Sequence, residues 1–430
     1  MEAVLIKHLG SHQGREVLIR GWLYNKRSSG KIIFLIIRDG TGLAQGVVVK
    51  KETGEEIFAT ARDLTQESSL ELRGVAREEP RAPGGFEIQV TGLEVIQVAQ
   101  PYPVSLKEHG VDFLAEHRHL WIRTPRQSAI LRIRSELEIA CRIFFQERDF
   151  ILADAPIITP AACEGTTNLF EIDYHGEKAY LSQSGQLYNE ATAMALGRVY
   201  CFGPTFRAEK SKTRRHLMEF WMVEAEAAFL EFEDNMKIQE DLVSYLVQRV
   251  LENNKKDLET LERDTASLAR VLPPFPRISY SEAVELLNSN GVDFAWGNDF
   301  GAPDENIISQ SFELPVFIHR FPTEIKAFYM KPDPANPDVV LGADLLAPEG
   351  YGEIIGGGQR IENLELLRER LAHHKLPEET FQWYLDLRRY GGVPHSGFGL
   401  GLERLLAWIT GIDHVREAIP FPRLLYRICP

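Results

Sequence analysis

Three stretches of the sequence carry residue types and spacings that suit work on phosphates. In the first, Gly203-Pro204-Thr205-Phe206-Arg207-Ala208-Glu209 runs into Lys210-Ser211-Lys212-Thr213-Arg214-Arg215-His216 and then into Phe220-Trp221-Met222-Val223-Glu224. This reads as strand, basic loop, strand. An arginine at a strand end can clamp a phosphate through two parallel hydrogen bonds, and the loop cations and His216 suit a polyphosphate. A solvated basic hairpin turn accounts for the charge alone equally well. In the second, His395-Ser396-Gly397-Phe398-Gly399-Leu400-Gly401-Leu402-Glu403-Arg404 sets glycines at alternate positions of a strand. That strips side chains from one face and lets a flat ligand lie against the backbone. Arg404 then opens a helix predicted over 405–410, where a phosphate gains from the helix N-terminus. Close strand-to-helix packing is the bland alternative. In the third, Gly342-Ala343-Asp344 precedes Gly352-Glu353-Ile354-Ile355-Gly356-Gly357-Gly358-Gln359-Arg360. Two carboxylates beside a triple glycine could hold Mg2+ against phosphate oxygens; the alternative is a turn with two surface acids.

These stretches need a scaffold of strands and helices. Residues 17–22, 32–38, 44–49, 70–75 and 88–95 are β-rich and bounded by glycine, proline or polar turns, with a short helix predicted at 56–63. Five strands and one helix predict a small closed barrel of the OB type. The segment 97–107 carries two prolines and little periodicity, and reads as a linker. Beyond it, Ile130, Ile133, Leu137, Ala140, Ile143 and Phe144 recur at helical spacing across 127–148. Apolar strands are predicted near Ile157, Ala179, Val199, Phe220, Ile354 and Phe398, and acidic helices over 233–265 and 361–374. The predicted fold class is α+β, without internal repeat or low-complexity tract.

Composition narrows the function classes. A chain of 430 residues suggests two domains. The net charge of −14 argues against a protein that coats nucleic acid non-specifically, but leaves room for a local basic face. No run of about eighteen apolar residues predicts a membrane span, and no basic region precedes an apolar stretch near Met1, so the expected location is cytoplasmic. Cys141, Cys163, Cys201 and Cys429 are scattered without a CxxC pair or a histidine cluster, which predicts isolated reduced thiols rather than zinc or disulfides.

Taken together and in order, the three stretches resemble the class II aminoacyl-tRNA synthetases. The segment ending Phe206-Arg207-Ala208-Glu209 resembles motif 2 of that family, and Gly399-Leu400-Gly401-Leu402-Glu403-Arg404 resembles motif 3. The long helix running into Ala153-Asp154-Ala155-Pro156 resembles motif 1. The resemblance covers nearly the whole chain. It implies an OB-fold anticodon-binding domain over 1–98, a linker over 99–107, and over 108–430 a catalytic domain whose central antiparallel sheet is flanked by helices. It implies ATP as substrate and Mg2+ as its companion. Arg207 would clamp the α-phosphate and the reacting carboxylate, Glu209 would read the adenine amino group, and Phe220 would stack on the adenine. Gly401 would line the ATP site, Arg404 would hold the γ-phosphate and cover the other adenine face, and Arg215 and His216 would meet the pyrophosphate. Glu353 and Asp344 resemble the metal ligands. Arg207, Arg404 and Glu353 are the residues expected to act on the reacting phosphates. A homodimer is implied, since motif 1 forms the subunit interface in this subgroup.

The barrel resembles the anticodon domain of the aspartate, asparagine and lysine subgroup, with Arg27, Phe34 and Gln45 at its spacing. An exposed phenylalanine on a barrel strand can stack an unpaired base and a glutamine can read its edge, whereas a core aromatic is the structural alternative for Phe34. Within the subgroup, Ser184-Gly185-Gln186-Leu187-Tyr188-Asn189-Glu190 has Asn189 where aspartate enzymes carry a lysine for the substrate carboxylate. Loss of that cation would leave an aspartate under-compensated by several kcal/mol, on the order of a broken buried ion pair. An amide needs a donor and an acceptor instead, and Arg360 and Glu190 could supply them. Glu164 and Glu224 lie where the family binds the substrate ammonium, with Ser184 and Gln186 nearby. The expected partners are therefore asparagine, ATP and tRNA(Asn), with no membrane. The expected reaction is activation of asparagine to its adenylate and transfer to the tRNA 3′ end. The alternatives are the aspartate branch, possibly charging both tRNAs, and a synthetase-like ligase making asparagine from aspartate and ammonia; a non-catalytic RNA-binding paralogue is a third.

Overall fold

Strict alternation in Ile32–Arg38 sets the first unit: Ile33, Leu35 and Ile37 are wholly buried, while Phe34 and Ile36 face outward and are half-buried. The computed structural model describes residues 2–160 and 169–430, so Cys163 and Glu164 lie outside the described residues. The chain divides into two units, Met1–Leu120 and Trp121–Pro430. In the first, β1 (Glu16–Ser29), β2 (Ile32–Arg38), β3 (Leu43–Val49), α1 (Lys50–Asp63), β4 (Ser69–Glu78) and β5 (Phe86–Gln97) form a barrel closed in the order β1-β2-β3-β5-β4. Its interior holds Val17, Ile19, Ile33, Leu35, Leu70, Leu72 and Ile88. Helix α1 begins earlier than the predicted 56–63 and is interrupted at Gly54, whose φ of 83° no regular helix allows. The short helix α2 (Val111–Glu116) follows, and α3 (Arg118–Trp121) ends the unit.

The second unit begins with α4 (Pro125–Gln146). Thr124 caps it by accepting from Gln127 N, Pro125 opens it, and Ile130, Ile133, Leu137 and Phe144 are its buried stripe. Then come β6 (Ile151–Leu152), β7 (Ile158–Thr159), β8 (Glu171–Tyr174), β9 (Glu177–Leu181), α5 (Gln186–Leu196), β10 (Arg198–Phe206) and β11 (Glu219–Ala228). Next are α6 (Phe232–Asn253), α7 (Lys255–Thr260), α8 (Ala266–Ala269), β12 (Arg277–Ser279), α9 (Tyr280–Ser289), α10 (Ala302–Gln310) and β13 (Val316–His319). The chain closes with β14 (Pro332–Asp333), β15 (Asn336–Val340), β16 (Gly342–Ala347), β17 (Gly352–Gln359), α11 (Leu364–His373), α12 (Gln382–Arg389), β18 (His395–Gly401) and α13 (Leu402–Thr410). Eight of these strands make one sheet in the order β12-β13-β16-β17-β18-β11-β10-β6, largely antiparallel. Helices α4, α6 and α13 cover one face with a core of Ile133, Phe144, Leu246, Leu405 and Trp408. Asp344 sits on strand β16, opposite Gly356 of β17, and not on a surface turn. Among the described residues no helix is long and apolar enough to cross a membrane.

Candidate active site

Strand period decides what the sheet offers to a ligand. Phe220, Met222, Glu224 and Glu226 alternate along β11 and share one face. Opposite them on β18, Met222 pairs with Gly401, Glu224 with Gly399 and Glu226 with Gly397. The glycines leave the middle of this floor bare. A Cβ on Gly401 would meet nothing within 4 Å, whereas one on Gly397 would sit 2.0 Å from Glu226 Oε1. The first position is open space for a flat ring; the second is glycine because a carboxylate occupies the room.

At the Phe220 end lies a cleft lined by Arg207, Arg215, His216, Phe220, Gly401 and Arg404, among others. The Arg207 guanidinium stands 5.4 Å from the Phe220 ring centroid. Arg404 Nη1 donates to Glu353 Oε2 at 3.0 Å and to the Glu353 carbonyl at 3.1 Å. Arg215 is held by Glu305 Oε2 at 2.8 Å and also donates to Asn306 Oδ1, so α10 pins the end of the basic loop. Burial, then the Arg404 and Arg207 charges, hold His216 below the usual histidine range, so it enters the cleft as a neutral ring near neutral pH.

At the Glu224 end lies a second cavity, lined by Ser184, Gln186, Glu224, Lys326, Asp344 and Arg360, among others. Both cavities share Arg207, Met222, Glu353 and Gly399, so they are one continuous groove. Glu224 accepts from Gly185 N at 2.8 Å and from Ser184 Oγ, at the start of α5. The acid end of the groove is thus a fixed carboxylate suited to an ammonium. Arg360 donates from Nε to Glu226 Oε2 at 3.3 Å and from Nη2 to Glu226 Oε1, and both side chains are at most 2% exposed. Burial, reinforced by the nearby Glu190 charge, pushes the Glu226 carboxyl up to about 7 against the pull of Arg360.

Asp344 and Glu353 flank one spot: a Cβ on Gly356 would lie 3.0 Å from Glu353 Oε1 and 3.5 Å from Asp344 Oδ1. Burial raises Asp344 to about 7; Lys326, donating to Asp344 Oδ2 at 2.6 Å, opposes this, and Glu353 adds to it. Burial would raise Glu353 too, but Arg404 and Lys326 hold it below the usual range. Two converging hard-oxygen donors that repel one another are the donor set a divalent cation relieves, so these residues fit Mg2+.

The structure also parts some expected site residues. Asn189 and Glu190 line neither cavity. Asn189 Nδ2 donates to the Glu224 carbonyl at 3.1 Å and to Cys201 Sγ at 3.2 Å, behind the cavity wall. Glu190 is wholly buried and ringed by donors from Gln186, Tyr384, Arg388 and His395. It has no open side for a substrate amide; at that end of the groove Arg360 lines the cavity, with buried Glu226 as its ion-pair partner. Glu209 lies on the loop after β10 and lines neither cavity. In the barrel, Arg27 lies 4.4 Å over the outward Phe34 ring, so Phe34 is a surface aromatic and not a core one. Gln45, register partner of Ile36, is nearly buried and its Nε2 lies 3.4 Å from Glu87 Oε2. Sequence reading missed Glu226 and Lys326. Alternation along β11 from Phe220 was enough to find Glu226; nothing local marks Lys326, which sits in an irregular segment.

Comparison with known proteins places these features in a family. Residues 110–425 match the model described as tRNA synthetases class II (D, K and N), and residues 17–96 match the OB-fold nucleic acid binding domain. The chain is 81% identical to the asparagine--tRNA ligase of Pelotomaculum thermopropionicum, and 72% identical to that of Desulforamulus reducens, over the full length of both partners in each case. Among solved structures it resembles the asparaginyl-tRNA synthetase from Pyrococcus horikoshii complexed with asparaginyl-adenylate, with a TM-score of 0.97, 46% identity and complete coverage of both chains.

Proposed function

This chain belongs to the class II tRNA synthetases (D, K and N), and on that premise we propose that it is an asparagine--tRNA ligase. It activates asparagine with ATP to asparaginyl-adenylate, releasing pyrophosphate, and transfers the asparaginyl group to the 3′ end of tRNA(Asn), releasing AMP. The observation that carries the amino-acid assignment is Arg360, which lines the groove and is paired with the buried carboxylate of Glu226. An amide can accept from Arg360 through its oxygen and donate to Glu226 through its nitrogen. A carboxylate brings no proton for Glu226 and meets like charge there. This is why the aspartate branch is the weaker reading.

The chemistry follows from fixed charge. Glu224 and Ser184 hold the substrate ammonium, with Gln186 beside them. A substrate carboxylate oxygen attacks the α-phosphorus, the bond to pyrophosphate breaks, and Arg207 faces the charge that builds on phosphorus. Arg404, Arg215 and His216 line the cleft where the leaving pyrophosphate gathers charge. No side-chain nucleophile is needed. Phe220 stacks on the adenine beside the bare backbone at Gly401, Arg404 covers its other face, and Glu209 closes over its amino group from the loop. Asp344 and Glu353 would hold Mg2+, which would neutralise phosphate oxygens of ATP. In the transfer step a terminal ribose hydroxyl of the tRNA attacks the carbonyl and AMP leaves.

The barrel reads the anticodon through Arg27, Phe34 and Gln45, with 1–98 as the anticodon domain, 99–107 as linker and 108–430 as the catalytic domain. The reaction is cytoplasmic and the working form is a homodimer. Exposed apolar residues on and after α4, among them Ile139, Ile151, Ile157 and Ile158, support this contact face. Charging of a tRNA(Asn) transcript with labelled asparagine tests the whole reading. Stable asparaginyl-tRNA is expected; a product carrying only aspartate would move the protein to the aspartate branch.

A further inference from the structure

Behind the amino-acid end of the groove lies a charge cluster that touches neither cavity. Glu190 of α5 accepts from Arg388 Nη2 at 2.7 Å, from His395 Nε2 at 2.9 Å, from Tyr384 Oη at 2.7 and 2.8 Å, and from Gln186 Nε2 at 3.1 Å. The other nitrogen of His395, Nδ1, faces the Val393 carbonyl at 2.8 Å. Both ring nitrogens of His395 thus face oxygen acceptors. Glu190 is the counter-ion of buried Arg388 and the partner of the His395 ring. Arg388 and His395 also grip the strand end that carries Arg360. The His395 carbonyl accepts from Arg360 N at 2.9 Å, and Arg388 Nε donates to the Ile361 carbonyl at 2.8 Å. Gln186, the remaining partner of Glu190, lines the cavity itself. The arrangement holds Arg360, Arg388 and His395 against two carboxylates, Glu226 and Glu190, all buried.

We propose that Glu190 is a positioning residue that sets selectivity between asparagine and aspartate: untouched by substrate, it fixes Gln186 and the Arg360 segment and cancels the positive charge behind Arg360. This rests on the reading of the groove as an asparagine site. Without the Glu190 charge, Arg388 and His395 add an unscreened positive potential at the Arg360 end. A buried, low-dielectric setting carries that potential to the cavity, where it favours a carboxylate over an amide. The reverse change, loss of the His395 charge, makes the same end more negative and disfavours aspartate further.

The test is amino-acid-dependent ATP–pyrophosphate exchange on the full chain, with kcat/KM measured for asparagine and for aspartate. Glu190→Gln keeps the shape and removes the charge. It is expected to lower the asparagine-to-aspartate ratio about ten-fold, with KM for ATP unchanged within about two-fold. His395→Gln keeps a donor toward Glu190 without the ring charge and is expected to raise the ratio; it also serves if Glu190→Gln does not fold. A Glu190→Gln enzyme that loses activity on both amino acids by the same factor, or two variants that move the ratio in the same direction, would show that the cluster only packs, and would overturn the proposal. Wild type measured alongside separates the two ideas: failure of wild type to use asparagine contradicts the groove assignment, whereas asparagine-selective wild type with an unmoved ratio in the variants contradicts the role of Glu190 alone.

Discussion

Arg207 is a cation common to the nucleotide cleft and the amino-acid cavity, so its side chain stands where the two substrates must meet. Removing a fixed donor aimed at developing charge costs on the order of 100- to 1,000-fold in turnover. Arg207→Ala is accordingly expected to reduce ATP–pyrophosphate exchange at least about 100-fold while the thermal melting curve stays in place; exchange within ten-fold or so of wild type would remove Arg207 from the reaction. Glu226 gives a pH prediction with a definite sign. Its carboxyl is raised to about 7. Above that value it is ionised and neutralises Arg360; as pH falls through it, a proton binds and the Arg360 charge is left bare toward the cavity. Aspartate-dependent exchange, relative to asparagine, should therefore rise between about pH 8 and about pH 6, and a flat ratio would contradict the role of Glu226. Arg207, Arg404 and Glu353, singled out in the sequence because each sits in a run of glycines and charges with few other uses, line one cleft. Glu190 and Asn189 were misplaced for a physical reason: a short helix carries neighbours onto buried faces, and only the packing of α12 and β18 shows that Glu190 is already surrounded.

At the scale of elements, period-2 patterning was the most readable signal, and the barrel strands fell close to where it put them. The same period explains why Phe34 faces outward while its neighbours Ile33 and Leu35 are wholly buried. Stacking of a base on an aromatic contributes about 1–3 kcal/mol. Phe34→Ala should thus weaken tRNA charging by about ten-fold or more in KM for tRNA while leaving tRNA-free exchange intact. Equal loss in both reactions would point to a damaged fold and away from an anticodon contact. Helices were less legible. The segment 233–265 reads as one acidic helix, but α6 ends at Asn253 and α7 restarts at Lys255, because Asn254 takes φ −119° and ψ 27° and breaks the run. Helices α9, α10 and α12 escaped notice because each is short, and their stability comes from packing of Tyr280, Ile308 and Tyr384 into the second core rather than from a long periodic face.

At the scale of the whole molecule, the net charge of −14 coexists with a nucleotide-side cleft lined by the cations Arg207, Arg215 and Arg404. Overall charge therefore says little about this site, and local placement says nearly everything. The exposed apolar residues on α4 and along β6 and β7 fit the contact with a second copy of the chain proposed above. Light scattering coupled to gel filtration is expected to give the mass of a dimer at micromolar protein, and a clean monomer would contradict the homodimer. Both the order of the glycine-rich and basic stretches and the full-length likeness to asparagine--tRNA ligases bear on one chemical claim, that the groove accepts an amide. The most direct measurement of that claim is ATP–pyrophosphate exchange without tRNA, with asparagine and aspartate compared at equal concentration in the presence of Mg2+. Exchange driven by asparagine and not by aspartate is the predicted result. Exchange driven by aspartate alone would mean that the Arg360–Glu226 pair does not read an amide, and would contradict the account at its centre.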